Sequence, residues 1–197
     1  MWVLFYYLLY CFITDAFLNH VIYLESNSEF LGFRIFTIIE YAFIAYYLYI
    51  NISSATYRRI IIWVSSLFLA FCLFDLFTSK SSTFDSLPAG IEGMLVIVFS
   101  LFYLFEKIKQ PNSLFLYSTS GFWIIVALII YFSGTFFLFI YSQTYFNDPD
   151  FQREYSLMIA LFNILRNIIF AIAIMIKSDV KTPNPIIQNK KPFDFQP

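Results

Sequence analysis

Apolar residues in this chain do not alternate with polar ones. They run in six long blocks, at roughly 2–18, 30–50, 60–77, 87–105, 121–141 and 155–176. Each block approaches the ~20 residues that a helix needs to cross a ~30 Å hydrocarbon core. Strands of a membrane barrel would show apolar and polar positions in turn, so helices are the spans this pattern predicts. The breakers agree: Pro88, Pro111 and Pro149 fall at span edges or in connections, never in the middle of a block. The expected fold is all-α, a polytopic transmembrane helical bundle of six spans over residues 1–176. The segment 177–197, polar and proline-containing, reads as a flexible cytoplasmic tail.

Composition supports this class. The 197 residues are 60% hydrophobic and 23% aromatic, and only 13% are charged, against about 25% in soluble domains. Mean hydropathy is +0.72. The first block follows Met1 with no basic region or small-residue cleavage site, so it reads as a span and not as a cleaved leader. A net charge of -1 gives no basic face for nucleic acid. The one histidine, His20, excludes a site built from several histidines. Cys11 and Cys72 both lie in apolar blocks, where a thiol is a small packing residue. No cofactor is expected.

Basic residues set an orientation. Arg58, Arg59, Lys107, Lys109, Lys177, Lys181, Lys190 and Lys191 fall on one set of connections, and only Lys80 and Arg153 on the other. The positive-inside bias puts both termini in the cytoplasm of a bacterial inner membrane.

Six ionisable residues remain inside the spans or at their mouths: Asp15, Arg34, Glu40, Asp75, Glu92 and Arg166. A charge at mid-bilayer costs at least about 2.5 kcal/mol, so each needs protein or water around it. At 1.5 Å per residue, Arg34 lies about 6 Å below the outer surface, and Asp15, Asp75 and Glu92 lie at similar depth. Glu40 and Arg166 both fall near the midplane, about 15 Å down. Asn163, Arg166 and Asn167 stand at i, i+3 and i+4 on one helix face, continued by the small residues Ala160 and Ala171. The stretches Tyr7–Cys11–Asp15 and Ser65–Cys72–Asp75 form further polar stripes. Glu40 is the expected partner of Arg166, with Asn163 and Asn167 completing the guanidinium's surroundings. Two readings stay open: a structural clamp between helices, or the floor of an outward-opening polar cavity whose mouth is Asp15, Arg34, Asp75 and Glu92. In the second, all eight residues are candidate ligand-binding positions, and the excess of acid favours a cationic or hydrogen-bond-donating ligand, or protonation, over an anion.

Ser133, Gly134 and Thr135, mid-block in "YFSGTFF", either loosen a helix or admit a close neighbour. Their context is not that of a nucleophile elbow.

Residues 120–140, "SGFWIIVALIIYFSGTFFLFI", a last block carrying "NILRNIIFAIAI", and the acid in "IIEYAFIAYYLY" together resemble a group of small multi-helix membrane proteins of Bacteroidota. Similar membrane domains precede the kinase module of some histidine kinases. The resemblance implies a seven-helix sensor-like domain with no established catalytic residues. This chain departs from it in having no kinase region after Lys177 and in beginning inside an apolar block, for which the resemblance implies either a seven-helix fold lacking its first helix or a start codon that lies earlier.

The function expected is therefore a non-catalytic membrane sensor-like or partner-binding module. Its partners would be the lipid bilayer and a membrane or cytoplasmic signalling protein or a second copy of the chain. The alternatives are a small-solute transporter or channel subunit, which would want repeats or broken helices, and an intramembrane lipid-modifying enzyme using acids such as Asp75 and Glu92. The sequence has no His-Glu-x-x-His metal motif for the latter.

Overall fold

Each apolar block becomes one helix, extended by a turn or so at its ends. The computed structural model contains α1 (Trp2–Val21), α2 (Ser28–Asn51), α3 (Ala55–Thr78), α4 (Ser86–Ile108), α5 (Ser120–Tyr145) and α6 (Pro149–Met175). It describes residues 2–21, 28–78, 86–109, 113–145 and 148–176, with the side chains of all of these except 15–21, 28–31, 86, 113–115 and 143. The expected tail at 177–197 lies outside the described residues. Five helices, α2 to α6, are long and apolar enough to cross a membrane, and α1 contributes a shorter apolar stretch, Trp2–Thr14. The chain is an all-α, polytopic helical bundle.

Local chemistry sets the helix ends. Asp148 caps α6 through a 3.0 Å bond from the Asp150 amide to its carboxylate, and Pro149 occupies the first turn, where its missing N–H costs nothing. The start of α3 is capped from a distance. The Glu106 carboxylate, at the end of α4, accepts the Ser53 and Ser54 amides at 2.7 and 2.8 Å. That clamp ties the α2–α3 turn to the far end of α4. A 3-10 turn, Ser113–Ser118, which the hydropathy pattern does not reveal, leads into α5.

Helix α4 packs along α5, α5 along α6, and α2 against α1, α3 and α4. The buried centre comes from α2, α4 and α5, with Tyr41, Leu48, Val96, Phe99, Ile125 and Phe132 all 0–1% exposed. Toward the end that bears Arg58, Arg59 and Lys107, aromatic contacts draw the helices tight. Tyr57 stacks on Phe102 at 4.7 Å, and Arg58 lies 4.4 Å over the Tyr49 ring. Large side chains such as Trp63, Leu67, Phe77, Leu157 and Met175 point outward from α3 and α6, as lipid-facing residues do.

Gly134 resolves the question posed by the Ser-Gly-Thr run. Helix α5 continues unbroken through it. The Ser133 and Thr135 hydroxyls donate back to the carbonyls of Ile129 and Tyr131. A methyl group at Gly134 would overlap the Phe162 ring of α6. The glycine is therefore a seat for that ring and not a break.

Candidate functional site

The deepest polar group is built from three helices. Tyr7, on α1, donates its hydroxyl proton to Glu40 Oε1 of α2 at 2.6 Å. Arg166, on α6, donates from one Nη to that hydroxyl at 2.9 Å and to the same carboxylate oxygen at 3.2 Å. Its guanidinium also lies 4.2 Å over the ring of Tyr131 from α5. All four residues are buried. The expected pairing of Glu40 with Arg166 is thus present, as an ion pair with both side chains shielded.

The arginine's surroundings differ from the expectation: its hydrogen bonds go to Tyr7 and Glu40 and to neither asparagine, and its Nε has no hydrogen-bond partner among the described residues. Asn163 partly faces inward, but Asn167 is exposed and lies away from the group. The reason is angular. Residues i and i+1 on a helix point about 100° apart, and the inward seam of α6 runs through Ile159, Asn163, Arg166, Phe170 and Ala173. Ala171 is likewise exposed. Tyrosines take the place that Asn167 was assigned, and hydropathy could not flag them because tyrosine is common throughout this chain. The one signal was that Tyr7 stands four residues before Cys11 on an inward stripe.

Above this group, toward the end opposite the basic loops, the helices enclose a cavity of about 480 Å³. Small-molecule sites span roughly 300–1,000 Å³. Side chains of all six helices line it. Among them are Arg34, Glu40, Asp75, Glu92, Asn163 and Arg166, six of the eight residues singled out in the sequence. Asn167 is not among them, and the Asp15 side chain lies outside the described residues. The stripes explain the convergence. Ser65 of α3 bonds to the Tyr41 hydroxyl at 2.8 Å, and seven and ten residues further on Cys72 and Asp75 reach the cavity wall. On α4, Pro88, Ala89 and Glu92 share the lining face, while Gly93 turns toward Phe132. Aromatic and aliphatic walls come from Phe36, Phe132, Phe139, Tyr155 and Ile159.

Glu92 differs from the other acids. It is 3% exposed, and its Oε1 has no hydrogen-bond partner. Buried carboxylate oxygens are normally satisfied, so this one is a site of unmet acceptor capacity on the cavity wall. Among the described residues no three or more His, Cys, Asp or Glu side chains are grouped so as to hold a metal ion. No family model, no curated protein and no solved structure matches this chain.

Proposed function

We propose that the chain is a non-catalytic sensor-like or partner-binding module of a bacterial inner membrane, with its cavity facing outward and both termini in the cytoplasm. One observation carries the reading: a small-molecule-sized hollow into which all six helices project, floored by a buried ion pair. A mere clamp between helices has no use for such a hollow. The second support is the placement of α6. Among the described residues it packs along α5 alone, and it reaches α1 and α2 through Arg166 and the edge of the Phe170 ring against Tyr7. A guest lodged between α2, α4 and α6 acts directly on the helix that leads to the C-terminal segment, and a separate partner reads the change there.

Cys72 provides the test, because it lines the cavity and is native to the chain. In a Cys11→Ser background, a membrane-impermeant thiol reagent added to the periplasmic face is expected to modify Cys72. Modification only from the cytoplasmic face, or from neither, overturns the outward cavity.

One observation favours a second reading. Asp75 and Glu92 line the same cavity, as an acid pair acting on a lipid headgroup would. Lipid turnover that stops with Asp75→Asn or Glu92→Gln would favour this enzyme over the sensor.

A further inference from the structure

The cavity's charge and walls identify what it takes. Among the described residues its lining carries three carboxylates, Glu40, Asp75 and Glu92, against two guanidiniums, Arg34 and Arg166. The Arg166 charge is met by Glu40 at 3.2 Å, so the rest of the described lining holds one more acid than base. Glu92 is the acid with an unsatisfied oxygen, buried in the wall. Around it the hollow is apolar and rich in rings, among them Phe36, Phe132, Phe139 and Tyr155. An aromatic lining attracts cations through the negative faces of its rings. A buried acid oxygen without a partner needs a donor and repels an anion.

We infer that the cavity is a binding site for a small amphipathic amine, a single ammonium on an aromatic or aliphatic body, with the ammonium on Glu92 and the body against the ring-lined wall. This rests on the outward cavity proposed above and adds the class of ligand. A zwitterion or polyamine fits less well, since the surplus among the described residues is one negative charge. An anion would place like charge beside Glu92. A neutral alcohol could fill the same volume and donate to Glu92, but it brings no counter-charge.

Three probes of similar size separate these guests: phenethylamine, 3-phenyl-1-propanol and 3-phenylpropanoate. Each is titrated at pH 7 against the purified full chain in detergent micelles, read by thermal shift and by protection of Cys72 from a small thiol reagent. The expected result is saturable stabilisation and Cys72 protection by the amine, at least tenfold weaker binding of the alcohol, and none of the carboxylate. Glu92→Gln, which keeps the volume and removes the charge, is expected to weaken the amine at least tenfold and leave the alcohol unchanged. Equal affinity for amine and alcohol, tighter binding of the carboxylate, or an amine affinity indifferent to Glu92→Gln overturns the inference. The probe series on the unaltered chain decides the matter even where the variant does not fold. If the alcohol or carboxylate binds and protects Cys72 while the amine does not, the cavity stands and its ligand class falls. If Cys72 cannot be modified from outside, both fall. A melting temperature that tracks pH through one step, lost in Glu92→Gln, with no amine binding, assigns Glu92 to a proton and also overturns the inference.

Discussion

Replacing one member of the Tyr7–Glu40–Arg166 group should cost far more than its share, and replacing both charges should return part of that cost. In Arg166→Met, Glu40 keeps the 2.6 Å bond from Tyr7 but loses its counter-charge. In Glu40→Gln, Arg166 keeps the Tyr7 hydroxyl at 2.9 Å and the Tyr131 ring at 4.2 Å but becomes a buried cation without an anion. Stranding one charge of a buried pair costs about 3–5 kcal/mol. Each single change should therefore lower stability by that order. The double variant should fall short of the sum by more than ~0.5 and up to about 3 kcal/mol, the range found for residues in direct contact. Tyr7→Phe removes a bridging hydroxyl and should cost about 1–2 kcal/mol. The assay is unfolding of the purified chain in mixed micelles of mild detergent and dodecyl sulfate, followed by tryptophan fluorescence. A double variant whose loss equals the sum of the singles within ~0.5 kcal/mol would refute the reasoning, because the two charges would then be separately solvated.

Three further outcomes follow from the packing. Gly134→Ala drives a methyl into the Phe162 ring and should destabilise by about 1–3 kcal/mol, the cost of overpacking; adding Phe162→Leu should recover part of this in the same unfolding assay. Glu106→Ala removes the acceptor for two amides at the start of α3 and should cost about 1–2 kcal/mol, with faster amide exchange at Ser53 and Ser54 as a local readout. Asn167→Leu, at an exposed position, should change stability by no more than ~0.5 kcal/mol, whereas Asn163→Leu, on the cavity wall, should reduce Cys72 modification by thiol reagents. Equal effects of the two asparagine changes would argue against the helix rotation described for α6.

Depth was legible in the sequence, and azimuth only in part. Glu40 and Arg166 lie at one level because each sits about halfway along a block whose ends the hydropathy pattern marks, and so their pairing followed from counting residues. Polar residues spaced by three, four or seven marked the lining face on α1 and α3, where Cys11, Cys72 and Asp75 reach the cavity. On α6 the same rule put Asn163, Arg166 and Asn167 on one face and left open whether Asn163 or Asn167 flanks Arg166 on the inward side. Only the packing of Phe170 and Ala173, 1% and 0% exposed, selects between them. Tyr7 and Tyr131 were hidden among 15 tyrosines, most of which an interfacial position would explain equally well. The reach of Glu106 across 52 residues to Ser54 leaves no trace in local pattern, because nothing in a helix end says whose amides it caps.

The polar contacts do something here that burial alone does not. Lipid tails are as apolar as leucine, so hydrophobicity gives a membrane helix little reason to prefer protein to bilayer. The central helices α2, α4 and α5 are fixed by dense side-chain packing, and α4 and α5 meet closely where Gly93 and Gly121 leave room for Phe132 and Tyr103. The peripheral helices α1 and α3 lack that breadth of contact, whereas α6 packs along α5 as closely as α4 does. Helix α3 is positioned by Tyr41–Ser65 and by the Glu106 cap. Helices α1 and α6, which share no close backbone approach among the described residues, meet through Tyr7 with Arg166 and Phe170. A few strong, directional contacts thus locate helices whose remaining surfaces face lipid. A helix held in this way, as α1 is, can pivot about its anchors at lower cost than one held along its length, as α6 is by α5. Loss of the Tyr7–Glu40–Arg166 group should accordingly loosen α1 while the α4–α5–α6 layer persists, which hydrogen exchange resolved by helix would show as early exchange confined to α1.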